Sequence, residues 1–355
     1  MIAADLPVRR SRGARLMVID SRGTFAHAPR SAFVQLLRKG DLVIANDAAT
    51  LPASLSGQHV RTGTPIEIRL AARASLAADD VGRFAAVIFG PGDYRIRTED
   101  RPLPPAIVAG DRLQLGPLTA SVEALLGHPR LARVRFEGSA AAIWAALARH
   151  GRPIQYAHVK EPLELWDVWT PIAAAPVAFE PPSAGFALDW AALDRMRERG
   201  VHFATLTLAA GLSSTGDPAL DRRLPFDEPY CIPESTARAI TEQRASGRRV
   251  IAIGTTVVRA LENAARAGRV VSAGHGVANQ RLGPQSRLQI VDAVLTGTHE
   301  PESSHYKLLT AFADERTLRN ATAALDAHGY RTHEFGDSMF VERRLDARSG
   351  EAAAA

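Results

Sequence analysis

Four strand-forming residues, Val250-Ile251-Ala252-Ile253, run without a polar break into Gly254-Thr255-Thr256 and on into Val257-Val258-Arg259-Ala260-Leu261-Glu262. The strand must end where its apolar run ends, and a helix is read after it, with Gly268 past its end. A strand handed directly to a helix is half of a β-α unit, and the surrounding sequence repeats the pattern. Leu42 to Asp47 reads as a short buried strand ending in turn chemistry. Asp189 can N-cap a helix running through Arg199, with Gly200 past its end. His202 to Leu208 reads as a strand, Glu234 to Ala245 as a helix, and about Thr256 to Ala267 as the helix after Gly254. Leu288 to Leu295 is expected to be a strand, followed by helices near Ser304 to Ala313 and Thr317 to His328. Alternation of this kind implies a sheet covered by helices, with parallel strands.

The texture changes between about Thr64 and Glu137. Short alternating segments (Ile66 to Leu70, Phe84 to Phe89, Tyr94 to Arg97, Leu113 to Leu115, Arg133 to Phe136) are separated by Gly-Pro, Pro-Gly and Gly-Asp turns. Such spacing suits a small β-sandwich or barrel. A helix from Ala140 to Arg149, opened by Ser139 and stopped by Gly151 and Pro153, closes the segment. The fold class expected is therefore an α/β body with an inserted small β-barrel-like domain. Residues 1–58 and 150–345 form the discontinuous body, 59–149 the β-rich insert, and 346–355 a disordered alanine-rich tail.

Composition narrows the setting. With 355 residues, 46% hydrophobic and 23% charged, the chain can bury a sizeable core. No apolar run approaches the ~18 residues that span a bilayer, and Met1 to Arg15 has no signal-peptide stretch. Cys231 is the only cysteine, so no internal disulfide forms, and a cytoplasmic setting is expected. The net charge of +5 permits a polyanionic partner such as RNA. The basic pairs Arg9-Arg10, Arg222-Arg223 and Arg248-Arg249 are nevertheless scattered, as in any arginine-rich chain.

Gly254 allows close backbone approach, and Thr255 or Thr256 can cap the helix, aiming free N–H groups at a phosphate or carboxylate. The same tripeptide equally fits a plain αβ corner. There is no Gly-x-Gly-x-x-Gly, Walker lysine or Gly-x-Ser-x-Gly. Local histidine spacing is poor for a metal, since His299 and His305 straddle Pro301 and His328 and His333 flank a Gly-Tyr turn. No metal is expected. Three clusters place turn residues beside reactive groups in what read as loops: Pro181 to Phe186, Asp227-Glu228-Pro229-Tyr230, and Thr298 to Ser304.

Taken in order, these motifs carry more. Gly40 to Asp47, Leu51 to Gly57, Thr62 to Glu67, Pro182 to Phe186, Glu228-Pro229-Tyr230, Val250 to Glu262, Thr298 to Ser304, Tyr330-Arg331 and Gly336-Asp337-Ser338-Met339 occur in one series. The series resembles the S-adenosylmethionine:tRNA ribosyltransferase-isomerase family of queuosine biosynthesis, over about Asp5 to Glu342. Gly-Thr-Thr-x-x-Arg-x-Leu-Glu and Gly-Asp-x-Met are its most specific pieces. The resemblance implies transfer of the ribosyl moiety of S-adenosylmethionine to 7-aminomethyl-7-deazaguanine in tRNA, with rearrangement to epoxyqueuosine and release of adenine and methionine. S-adenosylmethionine is then a co-substrate, tRNA the partner, and the chain is expected to be a monomer. Glu228, Tyr230, His299 and Asp337 are the implied acid/base and orienting residues. Gly185, Gly254, Thr255, Thr256 and Arg259 are the implied binding residues.

The chain departs from the family pattern at Gly185-Phe186-Ala187-Leu188, Thr207-Leu208-Ala209-Ala210-Gly211 and Leu224-Pro225-Phe226-Asp227, where histidines are expected. His299 keeps its place. The departures leave two alternatives standing: a divergent paralogue acting on another nucleoside or nucleic acid, or a non-catalytic RNA-binding protein.

Overall fold

The computed structural model describes residues 2–5, 13–265, 268, 270–301 and 303–344. The expected tail at 346–355, the Arg9-Arg10 pair and the last residues of the helix expected to reach Ala267 lie outside them. The backbone of the body is a nine-stranded sheet. Its spatial order is Gly274–Ala278, Glu228–Ile232, His202–Leu208, Leu42–Asn46, Val250–Ile253, Ala293–Gly297, Ser338–Glu342, Arg15–Ile19 and Phe25–Pro29. Four neighbouring central strands, from His202–Leu208 to Ala293–Gly297, are parallel, and antiparallel strands extend the sheet on both sides.

The central strands are apolar on successive residues because both faces are covered. Leu42, Ile44, Val250 and Ala252 meet helices Glu234–Ala245, Thr255–Ala264 and Glu315–Ala327 through Ile240, Val257, Leu261, Leu318 and Leu325. Val43, Ala45, Ile251 and Ile253 pack on the other side against Phe33, Leu188 and Met196. Asn46 and Asp47 stitch two of these strands. The Asn46 side chain donates to the Leu208 carbonyl and accepts from its N–H, both at 2.9 Å. Asp47 accepts from the Thr205 and Thr207 hydroxyls at 2.8 and 2.6 Å.

The insert is a closed barrel of Leu118–His128, Leu131–Phe136, Arg83–Phe89, Thr64–Ala72, Ser54–His59 and Arg112–Leu115. The expected α/β body with an inserted barrel is thus the observed architecture. The first barrel strand begins at Ser54, ahead of the expected boundary at 59, and helix Ala140–His150 adds Ile143 and Leu147 to the barrel core. Ser54 and Arg152 exchange backbone hydrogen bonds at 2.9 Å, so the two ends of the insertion leave the body side by side.

Three local expectations are corrected. Tyr94 to Arg97 forms a turn, because Asp93 accepts the Arg95 N–H at 2.9 Å and turns the chain. Glu228-Pro229-Tyr230 belongs to a strand and not a loop; Pro229 has no N–H to lose, and its carbonyl accepts from Ala209. The strand expected from Leu288 starts only at Ala293. The N–H groups of Gln289, Ile290 and Val291 go to the buried Glu262 carboxylate at 2.7, 2.9 and 2.9 Å, which withdraws them from sheet pairing. Glu262→Ala orphans all three donors, at a cost of about 1–3 kcal/mol each when unmet. Urea unfolding should therefore show a loss of about 3 kcal/mol or more, with a smaller loss for Glu262→Gln.

Candidate functional site

The parallel strands all point their C-terminal ends at one edge, where Ala209, Asp47, Gly254 and Thr298 follow one another across the sheet. Open α/β sheets build their sites at such an edge. Gly254 has φ 97°, a left-handed backbone that only glycine adopts readily. It is itself the N-cap of helix Thr255–Ala264, and no side chain caps that helix. The expected capping by Thr255 or Thr256 is therefore replaced. The glycine turns the chain so sharply that Thr255 already lies inside the helix, and its hydroxyl goes elsewhere. Ala184 lies close to Gly254, 3.7 Å from where a Cβ would stand, so the short helical turn Ser183–Ala187 is laid against the helix start. A Cβ on Gly185 would press on Thr170 at 3.0 Å. Gly185, Gly254, Thr255 and Thr256 thus share one small region.

From Thr255 a polar chain runs across the edge. Its hydroxyl is 2.8 Å from His305 Nδ1, the His305 ring stacks on His299 at 4.8 Å, and His299 Nε2 is 2.7 Å from the Thr296 hydroxyl. Burial pushes both imidazoles down, His305 to about 4 and His299 well below its usual range; Arg259 acts further on His305, and His305 on His299. Burial therefore favours the neutral form of both rings.

One helical turn beyond Thr255, Arg259 forms a buried ion pair with Glu228. Its guanidinium also donates to the carbonyls of Ala278 at 2.7 Å and Phe226 at 3.4 Å, while Gly211 N–H donates to Glu228 at 2.9 Å. Burial pushes the Glu228 carboxyl up, and Arg259 and the Gly211 amide pull against that shift. Tyr230, two residues along the same strand, donates to Asn263 at 3.0 Å, four residues along the same helix. Period two meets period four, and two polar rungs join strand to helix.

Asp337 occupies another corner. Its carboxylate accepts from the backbone N–H groups of Arg15 and Arg331 at 2.7 and 2.9 Å and from the Arg15 guanidinium at 3.0 Å. Its backbone carbonyl accepts from Thr298 N–H at 3.1 Å, beside His299. Asp337 thereby clamps the 331–337 turn to the loop that bears His299.

Sequence reasoning missed the groups on the barrel side. The Tyr156 hydroxyl lies 2.5 Å from Glu180 Oε1 and 3.1 Å from the Ser214 carbonyl oxygen. Burial, with the nearby charge of Glu334, raises Glu180 to about 7. Burial works against Glu334 as well, but His158 and His333 hold it below the usual carboxylate range. Tyr156, His158 and His333 stack in series, with centroids 6.1 and 4.4 Å apart. His158 and His333 are 175 positions apart in the chain, and no local spacing links them. The only signal available was Glu180 beside Pro181-Pro182 in a segment already singled out.

The histidine pair makes folding sensitive to acid. An imidazole whose folded pKa is depressed gives stability that is complete above about 6.5 and lost as pH falls toward 4. Between pH 7.5 and 5.0 the wild type should lose on the order of 2 kcal/mol more than His305→Asn, read from urea midpoints at the two pH values.

The family of queuosine biosynthesis proteins matches residues 1–341. An S-adenosylmethionine:tRNA ribosyltransferase-isomerase of Sorangium cellulosum is 35% identical, over 98% of this chain and 96% of its own. One of Thermus thermophilus is 34% identical over 92% of each. The crystal structure of an S-adenosylmethionine tRNA ribosyltransferase from Thermotoga maritima shares the fold, with a TM-score of 0.50 and 23% identity over 96% of each chain.

Proposed function

This chain belongs to the family of queuosine biosynthesis proteins, and on that premise we propose that it is an S-adenosylmethionine-dependent tRNA ribosyltransferase-isomerase. It transfers the ribosyl moiety of S-adenosylmethionine to 7-aminomethyl-7-deazaguanine in tRNA, forms epoxyqueuosine, and releases adenine and methionine. The observation that carries the reading is near full-length similarity to relatives named for that activity. S-adenosylmethionine and tRNA are its partners under this reading, and the chain acts as a monomer. Among the described residues no helix is long and apolar enough to cross a membrane.

The geometry supports a division of roles. Uncapped N–H groups at the start of helix Thr255–Ala264, with the Thr256 hydroxyl, receive the methionine carboxylate. Gly185 and Gly254 let the ligand approach the backbone. Arg259, already engaged by Glu228 and by backbone carbonyls, acts through its charge and by fixing Glu228. His299, held neutral, is the base that takes the acidic proton beside the sulfonium. Tyr230 and Asp337 orient the elements that carry these groups. Glu180, protonated up to about pH 7, supplies the proton to departing adenine.

One observation favours a second reading, in which the same chemistry serves another nucleoside: residues 186–188, 209–210 and 224–227 carry no imidazole where the family resemblance expects one. Incubation with S-adenosylmethionine and tRNA bearing the aminomethyl-deazaguanine precursor separates the two. Adenine and epoxyqueuosine should appear together. Adenine release with other RNA but not with this tRNA supports the second reading, and no adenine in either case removes both. Glu180→Gln should lower kcat by about 100-fold or more and flatten the fall in rate that the wild type shows above about pH 7.

A further inference from the structure

Two tight turns face each other beside Glu180. Val159 N–H closes the first on the Tyr156 carbonyl at 3.0 Å, and that turn carries His158. Gly336 N–H closes the second on the His333 carbonyl at 3.0 Å, and that turn carries His333 and Glu334. The second turn is tightly determined. His333 has φ 67°, the one left-handed non-glycine residue among those described. A Cβ on Gly336 would stand 2.4 Å from the Arg331 carbonyl oxygen. A strained histidine held by such packing marks a position worth a functional explanation.

One ligand atom from each of His158, His333 and Glu334 lies within 4.8 Å of the others. His158 Nε2 faces Glu334 Oε2 at 3.6 Å, which is too long for a hydrogen bond, and this buried nitrogen has no other hydrogen-bond partner. Two donors each about 2.1 Å from one ion stand about 3.4–3.6 Å apart at tetrahedral to trigonal angles. No lysine or arginine pairs with Glu334 among the described residues. Glu300 adds a further carboxylate 3.8 Å from His333 Nε2. The cluster therefore holds negative charge and two imidazoles in one place, one of them with an unmet ring nitrogen.

We propose that His158, His333 and Glu334 bind a divalent transition-metal ion of the Zn²⁺ class. Two imidazoles with one carboxylate suit Zn²⁺, Co²⁺ or Fe²⁺, whereas Mg²⁺ and Ca²⁺ prefer oxygen donors throughout. The His333 ring must turn out of its stack on His158 to aim a lone pair at the ion, and its exposed position leaves it free to do so. A water molecule takes the fourth position, as it does at open zinc sites. The site does not depend on the ribosyl-transfer reading.

Titration of the untagged, metal-stripped full chain with Zn²⁺, followed by calorimetry, tests the site. Co²⁺ absorption in the same samples reports the ligand field. One ion per chain is expected, with Co²⁺ bands of a four-coordinate site that Zn²⁺ displaces. His158→Ala and the isosteric Glu334→Gln should each weaken binding by more than about 100-fold, beyond the roughly 10–100-fold of a lost outer-shell partner. His202→Ala, an exposed histidine on the sheet, should bind as the wild type does. Melting temperatures of the metal-free variants verify folding. Failure of the folded wild type to bind one ion overturns the proposal, as does unchanged binding by both His158→Ala and Glu334→Gln. Either result leaves adenine release, measured separately, to judge the proposed reaction.

Discussion

The buried ion pair between Arg259 and Glu228 is the constraint on which the candidate site depends. It joins a strand near one flank of the sheet to the helix that starts at Gly254, in the middle of the sheet. Removing two charges from water is expensive, and the attraction repays it only if the remaining donors and acceptors are met. Here they are met by the Gly211 amide and by carbonyls of Phe226 and Ala278. Breaking such a pair from one side leaves a lone buried charge, at a cost of about 3–5 kcal/mol. The helix cannot slide or rotate without breaking it. The places of Thr255, His305 and His299 are therefore fixed by a contact that none of them makes.

A second clamp works at the opposite corner. Asp337 gathers N–H donors from the first long strand and from the 331–337 turn, and its backbone holds Thr298. Residues near both ends of the described chain thus converge on one carboxylate. The loop with His299 and the turn with His333 and Glu334 share this support. A single substitution at 337 would disturb both groups, so loss of activity there would not by itself identify a reacting residue.

Much of this was legible in the sequence. Long periodic segments such as Glu234–Ala245, and the apolar run at Val250, declare their structure because burial on a known face leaves few alternatives. Gly254 was legible as a backbone device, and the motif order as a family. What could not be read depended on pairing across distance. Glu262 takes three amides from a segment that looks like a strand, and nothing within that segment reveals it. Likewise His158 and His333 meet only because the barrel-side turn and the C-terminal turn are brought together by the fold. Thr255 looked like a cap because threonine often is one. The left-handed glycine before it took that place and released the hydroxyl for His305.

The paired exit of the barrel at Ser54 and Arg152 also bears on how the chain reaches this structure. Asn46 and Leu208 are hydrogen-bonded across 162 residues, a contact of high sequence separation whose closure entropy must be met before the sheet rewards it. A barrel whose strands are mostly joined by short connections can form early from local contacts. Once formed, its two ends stand side by side, and it shortens the effective loop by about 100 residues. In kinetic terms, a barrel formed first would lower the closure cost of the body that surrounds it.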